Sequence, residues 1–251
     1  MAAMTAMLYR ESKIRATNVT FVFWDFCYPL FNLLVFGVGL TAAFGSPRST
    51  TGADYNSFFL AGVLGMASFA IAANSAWSFF LDRDNGIFFE MLTYPMSRAE
   101  YLLGKLVFNI GIAIVQAALT IGVGAAALGI RLRFDLFGVL VCAIVMGTAG
   151  WFFFYTILAL KIRRNDVFNS VTSALWFVLL FFSSMFYPLG PLPALLRRLA
   201  LANPLTWEVD LLRYGSIGLG DRPELVVEAA GFTLFVLACY GYAVHSLNRE
   251  S

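Results

Sequence analysis

The chain has 251 residues, of which 60% are hydrophobic and 13% charged, with a formal net charge of +2. Soluble domains carry about 25% charged residues, so half that share leaves no polar shell for a water-facing surface. A mean hydropathy of +0.77 agrees, and so small a net charge argues against a nucleic-acid-binding protein.

Six stretches lack Asp, Glu, Lys and Arg: between Asp25 and Arg48, Asp54 and Asp82, Lys105 and Arg131, Asp135 and Lys161, Asp166 and Arg197, and Glu228 and Arg249. A hydrocarbon core roughly 30 Å thick needs about 20 apolar residues of helix at ~1.5 Å each. Barrel strands alternate over about ten residues, so these runs predict helices. The expected fold is all-α and polytopic, one transmembrane domain over 1–251, with spans near 19–44, 56–81, 101–129, 136–160, 167–187 and 225–247. The loops left over are too short for a separate catalytic domain.

Residues 3–17 read as an amphipathic interfacial helix, with Met4, Met7, Leu8 and Ile14 on one side and Arg10, Lys13 and Arg15 largely on the other. This stretch also argues against a cleaved secretory signal. In the first span, Asp25 lies near one end and reads as an interfacial acid paired with a nearby Arg or Lys. Ala61, Gly65, Ser68, Ala72 and Ala76 form a small-residue stripe in the second span. Such stripes mark helix–helix contacts, either inside the subunit or across a dimer.

The loop after the second span predicts a helix of about two turns over 85–93. Asn85 or Asp84 caps it and Pro95 stops it. Its apolar residues Ile87, Phe88, Phe89, Met91 and Leu92 either rest on lipid or dock on a partner. Ser97 and Glu100 then make a capping box for the third span. Trp176, Phe177, Phe181, Phe182 and Phe186 in the fifth span either face lipid and pack, or line a substrate pathway. Beyond Tyr187, three prolines and the Asn203-Pro204 pair predict two short helices over 188–220, suited to a re-entrant dip. Glu208 and Asp210 suit the early turns of the second.

Orientation follows the positive charges. With the N-terminus inside, ten Lys and Arg residues face the cytoplasm: Arg10, Lys13, Arg15, Arg83, Arg98, Lys105, Lys161, Arg163, Arg164 and Arg249. Seven face outward: Arg48, Arg131, Arg133, Arg197, Arg198, Arg213 and Arg222. Both termini are then cytoplasmic.

Taken together, the N-terminal helix, the Tyr28-Pro-Leu-Phe-Asn-Leu-Leu-Val-Phe-Gly-Val-Gly39 segment and the Gly86…Pro95-Met-Ser-Arg…Leu103-Gly-Lys105 loop resemble permease subunits of type-2 ABC exporters. The most distinctive element of the resemblance is Asn203-Pro-Leu-Thr-Trp-Glu-Val-Asp-Leu-Leu-Arg213. Ile87 departs from it, where many relatives carry a polar residue. The resemblance implies a multi-pass protein of the inner (plasma) membrane that pairs with a second permease copy, as homodimer or heterodimer, giving twelve spans. It also implies two copies of a separate cytoplasmic ABC ATPase seated on a coupling helix at 85–93, through Asn85, Gly86, Ile87, Phe88, Phe89, Glu90, Met91 and Leu92. The 188–220 segment would gate the exit through Asn203, Pro204, Leu205, Thr206, Asp210 and Arg213. ATP and magnesium would then sit on the partner, with no cofactor on this chain.

The residues agree that no ATP site is present here. Gly104-Lys105 is the only Gly-Lys pair, with Ala99 and Leu106 where a phosphate loop needs Gly and Ser or Thr. Cys27, Cys142 and Cys239 fall in separate spans, and the single His245 excludes His-rich metal sites and His-dependent nucleophile pairs. The resemblance thus implies a non-catalytic exporter permease, and the sparse charge and abundant Phe of the spans favour an amphipathic, lipid-linked or drug-like substrate. The alternative is an ion-coupled secondary transporter, for which Asp25 alone approaches membrane depth.

Overall fold

A computed structural model describes residues 2–44 and 54–248, with side chains over 4–39 and 54–247. Among the described residues there are eleven α-helices and no strand. Helix α1 (Ala2–Thr17) is followed by Asn18, whose side chain caps α2 (Val19–Val22). A π-helical turn, Phe23–Cys27, then leads into α3 (Tyr28–Phe44). Pro29 explains that turn, because it has no amide to give the Asp25 carbonyl and the wider turn relieves its ring.

The remaining helices are α4 (Tyr55–Asp84), α5 (Ile87–Met91), α6 (Arg98–Leu128), α7 (Phe137–Lys161), α8 (Asn165–Phe181), α9 (Ala194–Leu201), α10 (Pro204–Ile217) and α11 (Arg222–Asn248). Five segments are long and apolar enough to cross a membrane: Val19–Gly39, Tyr55–Asp84, Arg98–Leu128, Phe134–Lys161 and Arg222–Leu247. The chain is a polytopic helical membrane protein. The segment expected as a span over 167–187 is helical only to Phe181, as the 17-residue α8. At ~1.5 Å per residue that is about 26 Å, short of a full hydrocarbon core. The helix stops because later groups take its last carbonyls. Ser183 Oγ donates to Leu180 O (2.6 Å), and Asn203 Nδ2 donates to Leu179 O and Phe182 O (2.7 Å each).

Helix α4 is the centre of the bundle: 83% of its apolar window is buried, against 17% for α11. It packs on α7, α10, α6 and α3. The small-residue stripe is wholly internal, with Ala61, Ala72 and Ala76 fully buried and Gly65 facing Val209 of α10. Small residues there let helix backbones approach, so dispersion replaces the hydrophobic drive that lipid removes. Larger side chains fill the levels between, as where Phe69 meets Trp151 edge-on at 4.6 Å between ring centroids.

Helix α1 differs from its expected amphipathic pattern. Its inward face is Met7, Glu11 and Arg15, with Arg10 half-buried. Sorting by hydropathy misplaced these charges, because the surface they meet on α4 and α6 is itself polar.

Candidate functional site

Between α4 and α6 the chain turns through Asn85 and Gly86 into the single turn of α5. Gly86 has φ +77°, a left-handed conformation that costs a side-chain-bearing residue strain. The expected two-turn helix over 85–93 is thus shorter. Helix α4 continues to Asp84, so Asn85 closes α4 and Gly86 precedes α5. Phe88 is fully buried, packed edge-on against Phe79 (5.5 Å) and Tyr101 (5.1 Å). It anchors the turn and offers no surface to a partner. Phe89 is 43% exposed, Asn85, Gly86 and Glu90 are exposed, and Ile87, Met91 and Leu92 are half-buried.

Behind Phe88 lies a buried charged cluster. The Tyr101 hydroxyl donates to Asp82, whose carboxylate also meets Arg10 (3.0 Å) and Lys105 Nζ (3.2 Å). Lys105, fully buried, donates to Glu11 (2.8 Å) and Ser78 (3.0 Å). Burial alone would lower the Arg10 pKa, but the hydrogen bond and charge of Asp82 outweigh it and raise the pKa. Further along α1, Arg15 pairs with Asp25, which also accepts from Asn74 Nδ2 (2.7 Å). Arg15 donates in addition to Asn109 (3.1 Å), which donates on to the Lys105 carbonyl (2.8 Å). Thus α1, α4, α6 and the turn before α3 share one hydrogen-bonded belt, and Asp25 has the cationic partner expected of it.

The opposite end is organised by α10. Asn203 caps it by accepting the Leu205 amide (3.0 Å) while its amide group holds the end of α8. Pro204 takes the first helical position. Thr206 Oγ1 accepts from the Ser184 amide (3.3 Å), Ser184 Oγ donates to Asp210 (2.8 Å), and Arg213 bonds both Asp210 and the Ser184 carbonyl (2.8 Å). Of the six proposed gate residues, Asn203, Pro204, Leu205 and Thr206 thus form α10's cap and first turn, with Leu205 fully buried, and Asp210 and Arg213 further along α10 bond Ser184.

Glu208 sits in an early turn of α10, as expected, but on its inward face. It is fully buried, and its carboxylate accepts from Ser68 of α4 and Trp151 of α7. Ser68 lies 13 residues into α4, about 20 Å along at ~1.5 Å per residue. Helix α10 thus carries an acid level with the middle of the central helix α4.

A model of the ABC-2 type transporter family matches residues 2–216. The chain belongs to that family. Curated relatives named "Putative transport permease ycf38" agree. The one from Pyropia yezoensis is 27% identical over 82% of this chain and 74% of its own length. That from Porphyra purpurea is 26% identical over 74% and 64% respectively, and that from Cyanophora paradoxa 27% over 64% and 56%. Against the latter two, the chain spans less than two thirds of the relative's length. This ABC-2 protein is accordingly a membrane subunit of a transporter.

In this ABC-2 subunit the three aromatics proposed for a pathway sit on α8. Trp176 is half-buried and stacks on Phe69 (5.1 Å), whereas Phe177 and Phe181 are 60% and 53% exposed. Two adjoining cavities, about 350 Å³ and 520 Å³, share Trp24, Ala73, Asn74, Thr172 and Ser173. Trp176 and Phe177 line the first, and Phe181 lines neither. Among the described residues no group of three or more His, Cys, Asp or Glu is placed to hold a metal.

Sequence reasoning missed the Glu11–Lys105–Asp82 cluster and the Glu208–Ser68–Trp151 contact. Part of the signal for the first was present: Lys105 and Asp82 bound apolar runs, and charges at such edges need partners. For the second, Ser68 read only as a small residue.

Proposed function

We propose that this subunit is the permease of an ATP-driven exporter, carrying an amphipathic, lipid-linked or drug-like molecule out of the cytoplasm. Two copies of the permease, or this chain and a sister, would pair in the inner membrane with two separate ABC ATPases that hold ATP and magnesium. The α5 end faces the cytoplasm, with both termini, and the α9–α10 end faces outward.

The observation that carries this reading is the division of labour in α5. Phe88 fixes the turn to α4 and α6, and the neighbouring Phe89 and Glu90 stay free for a partner. A push on such a pinned turn passes to rigid helices. Through Tyr101 and Asp82 it also reaches Arg10 of α1. Nucleotide-driven closure of the ATPases would bias two arrangements of the bundle, and α10, tied to α8 through Asn203 and Ser184, would open or close the exit.

Coexpression with the cognate ATPase tests the reading. The Phe89→Asp/Glu90→Lys variant keeps the fold, because both positions are exposed, but loses ATPase copurification and substrate-stimulated hydrolysis. Undiminished copurification would remove α5 from the interface. Labelling of a cysteine at position 89 from outside the cell would reverse the orientation and end the proposal.

A further inference from the structure

A cavity of about 530 Å³ opens between the Ser184–Pro191 joint, α9, α10 and the start of α11. Its charged lining is Arg197, Asp210, Arg213, Asp221, Glu224 and Glu228. Three of these are already engaged. Arg213 is 5% exposed, lies over Phe58 at 3.8 Å and gives its terminal nitrogens to Asp210 and the Ser184 carbonyl. Asp210 also accepts from Ser184 and interacts closely with Glu228. What remains is of both signs. The side chains of Arg197, Asp221 and Glu224 make no ion pair or hydrogen bond among the described residues, and the buried Arg213 Nε has no acceptor there.

A simple cation would satisfy the acids and face Arg197, and a simple anion the reverse. A metal is not favoured, since no described cluster has the donor set. A zwitterion satisfies both sides, its acceptor oxygens at Arg197 and Arg213 Nε and its ammonium at Asp221 and Glu224. The rest of the surroundings are apolar. Leu189, Leu201 and Leu225 line the cavity, and α9 exposes Leu195, Leu196 and Leu199 beside it. A soluble zwitterion has no use for that surface, whereas acyl chains do.

We infer that this cavity binds the phosphoethanolamine headgroup of a membrane aminophospholipid, with its acyl chains lying along α9. Such a lipid would brace α9 and α10 against the head of α11.

The test is lipid retention by the full-length protein, purified from nanodiscs of equal phosphatidylethanolamine, phosphatidylcholine and phosphatidylglycerol and read by native mass spectrometry. Phosphatidylethanolamine should be retained roughly tenfold over phosphatidylglycerol, the scale of one charge-assisted contact. Asp221→Asn/Glu224→Gln should abolish that preference, and Arg197→Gln should lower total retention of both phospholipids. These positions are exposed, and an unchanged melting temperature confirms that each variant is folded. Soluble glycerophosphoethanolamine should not compete. Equal retention of the anionic lipid, or a preference that survives the double variant, overturns the site. Full competition by the soluble headgroup overturns the lipid assignment. Loss of ATPase copurification in the α5 variant bears on neither result.

Discussion

At the α5 end of the bundle, buried carboxylates meet buried cations: Asp82 faces Arg10 and Lys105, Glu11 faces Lys105, and Asp25 faces Arg15. At the level of Glu208 a carboxylate just as buried meets only a serine hydroxyl and an indole N–H. Both arrangements satisfy their hydrogen bonds, but they respond differently to loss. In an ion cluster each member offsets the desolvation of another, so removing one leaves a buried charge exposed to its full cost. Glu208 has no cationic partner to strand. The cluster is therefore suited to hold moving parts in fixed register, whereas the Glu208 joint is held by hydrogen bonds and packing alone.

The cluster sets the largest expected effect. Lys105→Met leaves Glu11 and Asp82 sharing only Arg10, which is a quarter exposed, and should destabilise the protein by about 3–5 kcal/mol. Denaturant titration in mild detergent measures it. Adding Glu11→Gln to that variant should recover about 1 kcal/mol or more, because one stranded charge is gone. A Lys105→Met cost no larger than that of an exposed lysine would erase the distinction between the two ends.

Next in size is the packing that seats Glu208. Gly147 of α7 has the Glu208 carboxylate where a Cβ would go. Gly147→Ala should cost about 2 kcal/mol through overpacking, with α10 displaced from α7. In a Glu208→Asp background the carboxylate withdraws by one methylene, and the same alanine should cost measurably less. An equal penalty in both backgrounds would mean that the carboxylate does not set the α7–α10 approach. Asn203→Ala follows at about 1–2 kcal/mol, since it removes the α10 cap together with the two carbonyl contacts to α8. Its signature beyond stability is faster labelling of a cysteine placed at Ser184.

What the sequence made legible was whatever a local rule governs. Long uncharged runs marked the helices, Ser97 and Glu100 marked the start of α6, and Asn203-Pro204 marked the start of α10. That Arg10 meets Asp82 and Ser68 meets Glu208 was not legible, because these partners lie 72 and 140 positions away in the chain. Phe88 shows the same limit on a smaller scale. Next to Phe89 it has identical chemistry, and only Phe79 and Tyr101 decide which of the two turns inward. The halt of α8 at Phe181 was hidden for a related reason: besides the local Ser183, the group that ends it is Asn203, the cap of α10.

The smallest effect is the most discriminating. Glu208→Gln keeps the shape and exchanges one carboxylate oxygen for an amide. Its oxygen can accept the Trp151 N–H, and its NH₂ can donate to Ser68, whose one hydroxyl proton, no longer given to a carboxylate, can turn to the Gly65 carbonyl 2.9 Å away. Ser68 and Trp151 stay paired and no cation loses a counter-charge, so the change should be no more than about 1 kcal/mol. Glu208→Ala, by contrast, strands the Trp151 donor and opens a void, and should cost about 2–4 kcal/mol. If the glutamine variant were as damaging as Lys105→Met, Glu208 would have to act as a charge in the working protein. The joint at α10 would then be electrostatic after all, with its cation supplied from outside the described residues.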